Sequence, residues 1–161
     1  LPDQDRGAWH HDEIADGLRH LDSSMAGDPD QHAERVALRY RLQALIAASH
    51  ATAATAADTD WATIAAHYAE LDDLTKSPIV RLNRAVAVAE AEGPAAGLAL
   101  LDGLDRHLPR SHTLAATRGE LLHRLGRSRE SVIEFDRAIE LVATDAERAH
   151  LVARRVAAAD P

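Results

Sequence analysis

The sequence predicts an all-α fold, and two observations lead to that prediction. The first is composition: of the 161 residues 46% are hydrophobic but only 3% are aromatic, and alanine and leucine, both strong helix formers, dominate. The second is periodicity, because apolar residues recur at helical spacing and β-branched residues nowhere alternate with polar ones as in a half-buried strand. The length is sufficient for one domain, or a short helical array, with its own core.

The pattern of apolar and turn residues predicts three helices in the N-terminal half of the sequence. Residues 27–30 separate the first helix from the second, and residues 57–60 separate the second from the third. Thr59 or Asp60 is the expected N-cap of the third helix, and Trp61 begins its inner face. The three helices cover about residues 10–26, 31–54 and 60–74.

The most apolar helix is predicted over residues 77–92. Ser77 is a good N-cap residue, and Pro78 fits the first helical position, where its missing N–H costs nothing. Gly93 can adopt the left-handed conformation that ends this helix, and Pro94 then begins the next one. Since apolar residues and alanines occupy most of its circumference, we expect this helix to be the most buried in the chain.

The C-terminal half predicts four further helices. Pro109 ends the first of them and Gly126 the second. Ser111 and Ser128 are the expected N-caps of the second and third, and Thr144 begins a T-x-x-E capping box for the last. These helices run from about residue 94 to 107, 111 to 125, 128 to 142 and 145 to 161.

The predicted helices pair at a regular spacing. The turn within each pair falls at Thr59, Gly93 and Gly126, which are 34 and then 33 residues apart. A period near 34 with two helices per unit is typical of the tetratricopeptide repeat, whose helix pairs stack into a superhelix. The sequence therefore predicts a single tetratricopeptide-like α-α superhelix of about three helix pairs with flanking helices. The expected repeat units are residues 45–76, 77–110 and 111–144, followed by a capping helix at 145–161.

We expect the concave surface of such a superhelix to form a groove for a partner or a ligand. Asn83 is expected to face the groove, although a structural hydrogen bond between helices is the alternative. Arg84, about 100° further round the helix, is expected to turn into the stack and meet an acid. The candidate acids are Asp58, Asp60 and Asp102. The candidate groove residues are Val80, Asn83, Arg84, Ala87, Glu90, Ala116, Glu120 and His123.

The composition disfavours several classes of function. The net charge of −8 disfavours direct contact with the phosphate backbone of nucleic acids. The chain has no cysteine, which excludes disulfides and thiolate metal sites and is compatible with a reducing cytoplasm. No apolar run is long enough for a membrane span, and no signal peptide is visible. Because the first residue is leucine rather than methionine, we expect the chain to be a piece of a longer protein.

The sequence contains two pairs of residues of a kind found in metal sites. Glu120 and His123, like Glu147 and His150, form Glu-x-x-His pairs of the kind that bind iron in four-helix bundles. Such pairs also arise by chance in a chain with 26 acidic residues and ten histidines. There is no His-Glu-x-x-His motif, phosphate-binding glycine loop or Gly-x-Ser-x-Gly elbow. We therefore expect no enzyme activity, no metal and no cofactor.

The segment LNRAVAVAEAEGPAAGLALLD at residues 82–102 is the most specific of several segments that match a known family. These segments resemble the C-terminal extension of a group of bacterial extracytoplasmic-function (ECF) sigma factors, and the resemblance covers nearly the whole chain. Residues 1–9 resemble the linker that leads into this extension from the upstream sigma domains. The remaining matching segments are residues 58–61, 77–78, 121–122, 125–127 and 147–148.

This resemblance implies a regulatory role in the cytoplasm. In that family the extension modulates promoter-specific transcription initiation in place of a separate anti-sigma factor. The implied partners are the sigma domains of the same full-length chain, core RNA polymerase, or both, with no direct contact between this segment and nucleic acid or membrane. The alternative is a sensor, in which a signal molecule binds the groove around Asn83, Glu90 and Glu120.

Overall fold

The protein folds into helices throughout the part that the structure, a computed structural model, describes, namely residues 9–23 and 31–159. Eight α-helices and one 3-10 turn lie in these two ranges, and no strand occurs in them. The prediction of an all-α fold is therefore confirmed. The predicted turn at residues 27–30, the end of the first predicted helix and the predicted linker before Trp9 lie outside the described residues.

The chain divides into two compact units between Lys76 and Ser77. Lys76 is the C-cap of the helix that ends at Thr75, and its backbone has the left-handed conformation, with φ of 51°. The first unit contains α1 (His11–Ser23), α2 (Gln31–Thr52) and α3 (Trp61–Thr75). The second unit contains α4 (Pro78–Ala91), α5 (Pro94–Leu100), α6 (His112–Arg124), α7 (Ser128–Leu141) and α8 (Asp145–Ala159). The repeat boundaries and the single superhelical domain stay predictions.

In the first unit, the predicted polar residues stabilise the turn before α3. Asp60 is the N-cap: its carboxylate accepts hydrogen bonds from the Thr63 backbone N–H at 3.0 Å and from the Thr63 hydroxyl at 2.7 Å. The backbone hydrogen bond from Thr63 lowers the pKa of Asp60. Asp58 accepts from the N–H and the hydroxyl of Thr55. Trp61 meets the ring of His50 edge-on, with 5.2 Å between the ring centroids.

In the second unit, α4 packs on α5, α6 on α7, and α7 on α8. One core cluster joins α4, the segment after α5, and α6; it includes Leu82, Ala85, Leu101, Leu104 and Leu114. A second core cluster joins α6, α7 and α8; it includes Ala115, Phe135, Ala138, Val142 and Leu151.

The prediction that α4 is the most buried helix is wrong for one of its faces. Ile79, Asn83, Val86 and Glu90 lie along this face at spacings of three and four residues, and all are exposed. Ile79 is 51% exposed. An apolar circumference could not reveal this face, because a valine beside a groove and a valine in the core give the same sequence pattern.

The fifth helix is shorter than predicted. It ends at Leu100 instead of near His107, and a 3-10 turn follows at Leu104–Arg106. Gly103 lies between them with φ of 78°, a left-handed conformation that suits glycine. This turn lets both Leu101 and Leu104 point into the core.

Two of the predicted helix starts are confirmed by their hydrogen bonds. The Ser111 hydroxyl accepts from the Leu114 N–H at 3.1 Å. Thr144 caps the last helix: its hydroxyl accepts from the Glu147 N–H at 3.3 Å and donates to the Glu147 carboxylate at 2.6 Å. Ser77 occupies the N-cap position of α4, but its side chain makes no capping hydrogen bond.

A substitution at Gly97 tests how closely α5 must approach α4. A Cβ added at Gly97 would lie 2.5 Å from both the Ala85 carbonyl oxygen and the Ala89 Cβ. We expect Gly97→Ala to lower the free energy of unfolding by about 1–3 kcal/mol, because one of the helices must move. Urea unfolding followed by far-ultraviolet circular dichroism measures this change.

Gly17→Ala is the matched control for Gly97→Ala. Gly17 also lies within a helix, but nothing lies within 4 Å of an added Cβ there. This variant should be at least as stable as the parent, by up to about 1 kcal/mol, because alanine loses less backbone entropy than glycine. Equal stabilities for the two variants would contradict the close approach of α5 to α4.

Candidate functional site

A groove in the second unit, formed by α4, α6 and α8 over α7, is the candidate functional site. It encloses a cavity of about 310 Å³. Its apolar lining consists of Val86, Ala116, Leu121, Phe135 and Leu151. Its polar lining consists of Glu90, Thr117, Glu120, Arg124, His150 and Arg154.

Two ion pairs join the three helices across this groove. Arg124 of α6 donates to Glu90 of α4 at 2.5 Å and also to the Ala89 carbonyl at 3.2 Å. Arg154 of α8 donates to Glu120 of α6. In both pairs the partners are 34 residues apart. In each pair a glutamate of one helix thus meets the arginine that lies 34 residues later, two helices further along the chain.

The ion pairs determine the charge and shape of the groove more than its stability. All four side chains are about one-third exposed, and exposed pairs of this kind typically contribute about 0–1 kcal/mol each. Two glutamates and two arginines leave the pairs neutral in a chain whose net charge is −8. The groove therefore offers both donors and acceptors of charged hydrogen bonds above an apolar floor.

Helix α6 carries one partner of each ion pair, and an arginine on its other side holds it in place. Arg118 donates to Asp105 at 2.8 Å and to Glu134 at 3.3 Å. Arg137 of α7 donates to the same aspartate at 2.9 Å. The hydrogen bond from Arg118 holds the pKa of Asp105 below its usual value of 3.8. This network connects the segment after α5 to both helices of the following pair.

A buried serine fixes α7 against α6 beneath the groove. The Ser131 hydroxyl donates to the Gly119 carbonyl at 2.7 Å, and Ser131 is fully buried. Gly119 is also buried, and a Cβ added there would lie 3.2 Å from the Phe135 ring. The Phe135 ring that lines the groove therefore packs directly on Gly119.

The structure brings three of the predicted groove residues together at the cavity: Glu90, Ala116 and Glu120. Asn83 is exposed on the same face of α4 but does not line the cavity. Its role in regulation stays a prediction.

Four other predicted groove residues lie away from the cavity. Ala87 is 1% exposed and belongs to the core, whereas Val80 and Arg84 are half-buried. His123 is half-buried, and its Nδ1 atom is buried without a hydrogen bond. Of the acids proposed for Arg84, Asp58 and Asp60 stabilise their own turn, and Asp102 is exposed. The Asp102 carbonyl accepts a hydrogen bond from Arg81.

The sequence prediction did not include eight of the eleven lining residues. For three of them, Val86, Thr117 and Arg124, the reason is that the predicted spacing between helices is 33 residues, whereas the packing uses 34. The predicted repeat aligns Gly93 with Gly126, but the ion pairs show that α4, α6 and α8 correspond at 34 residues. An error of one residue rotates a helical position by about 100°. The signal that could have found them is the recurrence of Glu and Arg at this spacing. The other missed residues are Leu121 and Phe135, together with His150, Leu151 and Arg154 of α8, which the sequence predicted to be a capping helix.

A second cavity, of about 250 Å³, lies between α1 and α2 of the first unit. Ile14, Gly17 and Leu18 line one side, and alanines of α2 line the other. Its lining residues carry no ionisable or hydrogen-bonding side chain, so this cavity offers only apolar contact.

Among the residues that the structure describes, no three histidine, aspartate or glutamate side chains are placed to hold a metal ion. No helix in the described part of the chain is both long enough and apolar enough to cross a membrane.

Comparison with known proteins gives one relative. No protein-family model and no solved structure matches the chain. A protein of Rhizobium meliloti (strain 1021), named as uncharacterized, is 40% identical over 151 residues. The match covers 94% of this chain but 34% of the relative, so the chain spans about a third of the length of the curated relative that it matches.

The Asp105 network predicts a pH-dependent stability. The pKa of this carboxyl is lower in the folded chain, so its contribution is present above pH 3.8 and is lost as the pH falls through the folded-state pKa. At pH 7 Asp105→Asn should reduce the free energy of unfolding by about 1 kcal/mol, since the side chain is partly screened by water. Below the folded-state pKa the parent and the variant should be equally stable, because the carboxyl is then protonated in the folded and the unfolded chain.

Asp102→Asn is the control for this measurement. Asp102 is exposed, and its carbonyl rather than its carboxylate accepts from Arg81. Chemical denaturation of the parent and both variants between pH 2 and pH 7 tests the prediction. A difference between the parent and Asp105→Asn that is the same at every pH would contradict it.

Proposed function

We propose that the chain is a tetratricopeptide-like regulatory domain of an ECF sigma factor, which uses the groove to dock a polypeptide partner. The repeat in the second unit supports this architecture, since α4 and α5, then α6 and α7, form successive pairs. The ion pairs between residues 34 apart supply the expected period. The resemblance of residues 82–102 to the sigma-factor extension supplies the biological context.

The groove is the observation that carries the docking proposal. It combines an apolar floor with two arginines and two glutamates at its sides, so it can bind side chains of either charge around an apolar anchor. The partner is a segment of the sigma domains in the same full-length protein or of core RNA polymerase, in the cytoplasm. Docking there would modulate promoter-specific transcription initiation.

The matched relative is compatible with this arrangement. About two-thirds of its length lies outside the matched segment, which leaves room in that protein for further domains. A regulatory segment joined to its own target binds it at a high effective concentration, so a groove of modest affinity is sufficient.

Transcription by the intact sigma factor tests the docking proposal. Ala116 is half-buried in the groove, and an arginine there would fill the space above Phe135. We expect Ala116→Arg to change promoter-specific transcription by about tenfold, equivalent to about 1.4 kcal/mol of docking free energy. The measurement is run-off transcription with core RNA polymerase, after circular dichroism has shown that the variant is folded.

Ala99→Arg is the matched control, because Ala99 is an exposed alanine on α5 and does not line the groove. It should transcribe like the parent. A folded Ala116→Arg protein with parental transcription would refute docking in the groove.

A small-ligand sensor is the second candidate function, and the cavity volume favours it. About 310 Å³ is within the range of small-molecule sites, and the paired charges could orient a polar ligand. Binding would then release the promoter-binding domains.

A thermal-shift screen of metabolites distinguishes the two functions. A sensor requires a saturable rise in Tm, corresponding to about 2.7 kcal/mol at a hundredfold excess over Kd. Ala116→Arg should abolish that rise. The docking proposal expects no such ligand, and a specific, saturable hit would favour the sensor.

A further inference from the structure

The two ion pairs of the groove differ in the hydrogen-bonding capacity that they leave unused. Arg124 donates from one terminal nitrogen to Glu90 and from the other to the Ala89 carbonyl, so both of its terminal nitrogens are engaged. Arg154 donates from Nη2 alone, to Glu120 Oε2. Its Nε and Nη1 atoms, and the Oε1 atom of Glu120, make no hydrogen bond within the described part of the chain. The pair between α6 and α8 can therefore bind a further molecule through both of its charges.

Two more polar side chains lie beside this pair. Thr117 precedes Glu120 by three residues on α6, and His150 precedes Arg154 by four residues on α8. These spacings place each of them on the same side of its helix as the charged residue, and all four line the cavity. Neither the Thr117 hydroxyl nor the His150 ring is hydrogen-bonded to another of the residues that the structure describes. Both side chains are therefore available to a ligand.

The floor beneath these polar groups is apolar and belongs to the core. Leu121, Phe135 and Leu151 line the cavity and are 3%, 2% and 6% exposed. The cavity volume of about 310 Å³ is at the small end of the range of ligand pockets, which is about 300–1,000 Å³. The site thus suits a small molecule with one apolar group.

The charges of the site restrict the charge of that molecule. The side chains of Glu120 and Arg154 are about one-third exposed, and their charges cancel. A ligand with only a carboxylate would bring a negative charge beside Glu120, and a ligand with only an ammonium group would bring a positive charge beside Arg154. A ligand with both groups satisfies both unused edges and leaves the site neutral.

A free α-amino acid with an apolar side chain combines these features. At pH 7 it carries a carboxylate and an ammonium group, which are separated by a single carbon atom. Because Arg154 and Glu120 are in direct contact, their unused edges lie side by side and can meet two charges that are this close. A residue inside a polypeptide has neutral amide groups in place of both charges and does not match the site in this way.

We propose that the groove between α6 and α8 binds a free apolar α-amino acid. The ligand carboxylate accepts hydrogen bonds from Arg154 and His150. The ammonium group donates to Glu120 and to the Thr117 hydroxyl, and the apolar side chain lies on Phe135. This proposal rests on the second candidate function, the small-ligand sensor, and names the class of its ligand.

Isothermal titration calorimetry of the chain at pH 7 tests this proposal. The probes are L-leucine and L-phenylalanine, and we expect at least one of them to bind saturably. The matched probes for leucine are L-leucinamide, which lacks the carboxylate, N-acetyl-L-leucine, which lacks the ammonium group, N-acetyl-L-leucinamide, which lacks both, and glycine, which lacks the side chain. The corresponding derivatives serve for phenylalanine. Each should bind about tenfold or more weakly than the amino acid, because each leaves one part of the site unmatched.

Substitutions of the ion pair assign the two charges of the ligand. Arg154→Gln should weaken amino-acid binding about tenfold and remove the preference for the amino acid over its amide. Glu120→Gln should weaken binding similarly and remove the preference for the amino acid over its N-acetyl derivative. Arg155→Gln is the matched control, because Arg155 pairs with Asp136 and does not line the cavity. It should bind like the parent, and circular dichroism shows whether each variant is folded.

The results that would overturn the proposal are distinct from those that would overturn the sensor function. No binding of either amino acid, or binding that Arg154→Gln and Glu120→Gln leave unchanged, would overturn the proposal. Equal binding of N-acetyl-L-leucinamide would also overturn it, in favour of an apolar residue of a docked polypeptide. If a different metabolite raises the Tm and Ala116→Arg abolishes that rise, the sensor function stands and the amino-acid proposal fails. If no metabolite raises the Tm, both fail.

Discussion

The close packing of paired helices in the second unit depends on small residues at one position. Gly97 against Ala85 and Ser131 against Gly119 bring the backbones of each pair together. A larger side chain at either contact would force neighbouring atoms to move, at a cost of about 1–3 kcal/mol. These two contacts hold α4 and α6, the first helices of the two pairs, against their partners α5 and α7. The groove that α4 and α6 line therefore depends on them.

The groove shows how a repeat can produce a site with both signs of charge. Glu90 pairs with Arg124 and Glu120 pairs with Arg154, so one ion pair links α4 to α6 and the other links α6 to α8. These pairs contribute little stability because they are partly exposed. They nevertheless fix which side chains a partner meets. Stability instead comes from the core clusters and from the Arg118–Asp105 network behind α6.

The same repeat explains why α8 differs from α4 and α6. All three helices carry small or apolar residues at the pairing positions, but only α4 and α6 have a helix over them in the described chain. The second unit therefore presents two distinct surfaces, a charged groove and an apolar helix face.

The sequence by itself determined the helical class, the order of the helices and most of their ends, because these depend on local periodicity and capping residues such as Ser111 and Thr144. It identified Glu90, Ala116 and Glu120, but placed Ala87 on the groove and missed Arg124 and Arg154. Only the tertiary structure decided which side of each helix faces the groove. The turns are spaced by 33 residues and the contacts by 34, and a difference of one residue rotates a position by about 100° around a helix. It alone also decided which apolar faces are covered, because burial depends on a neighbouring helix and leaves no mark on the sequence of the helix that it covers.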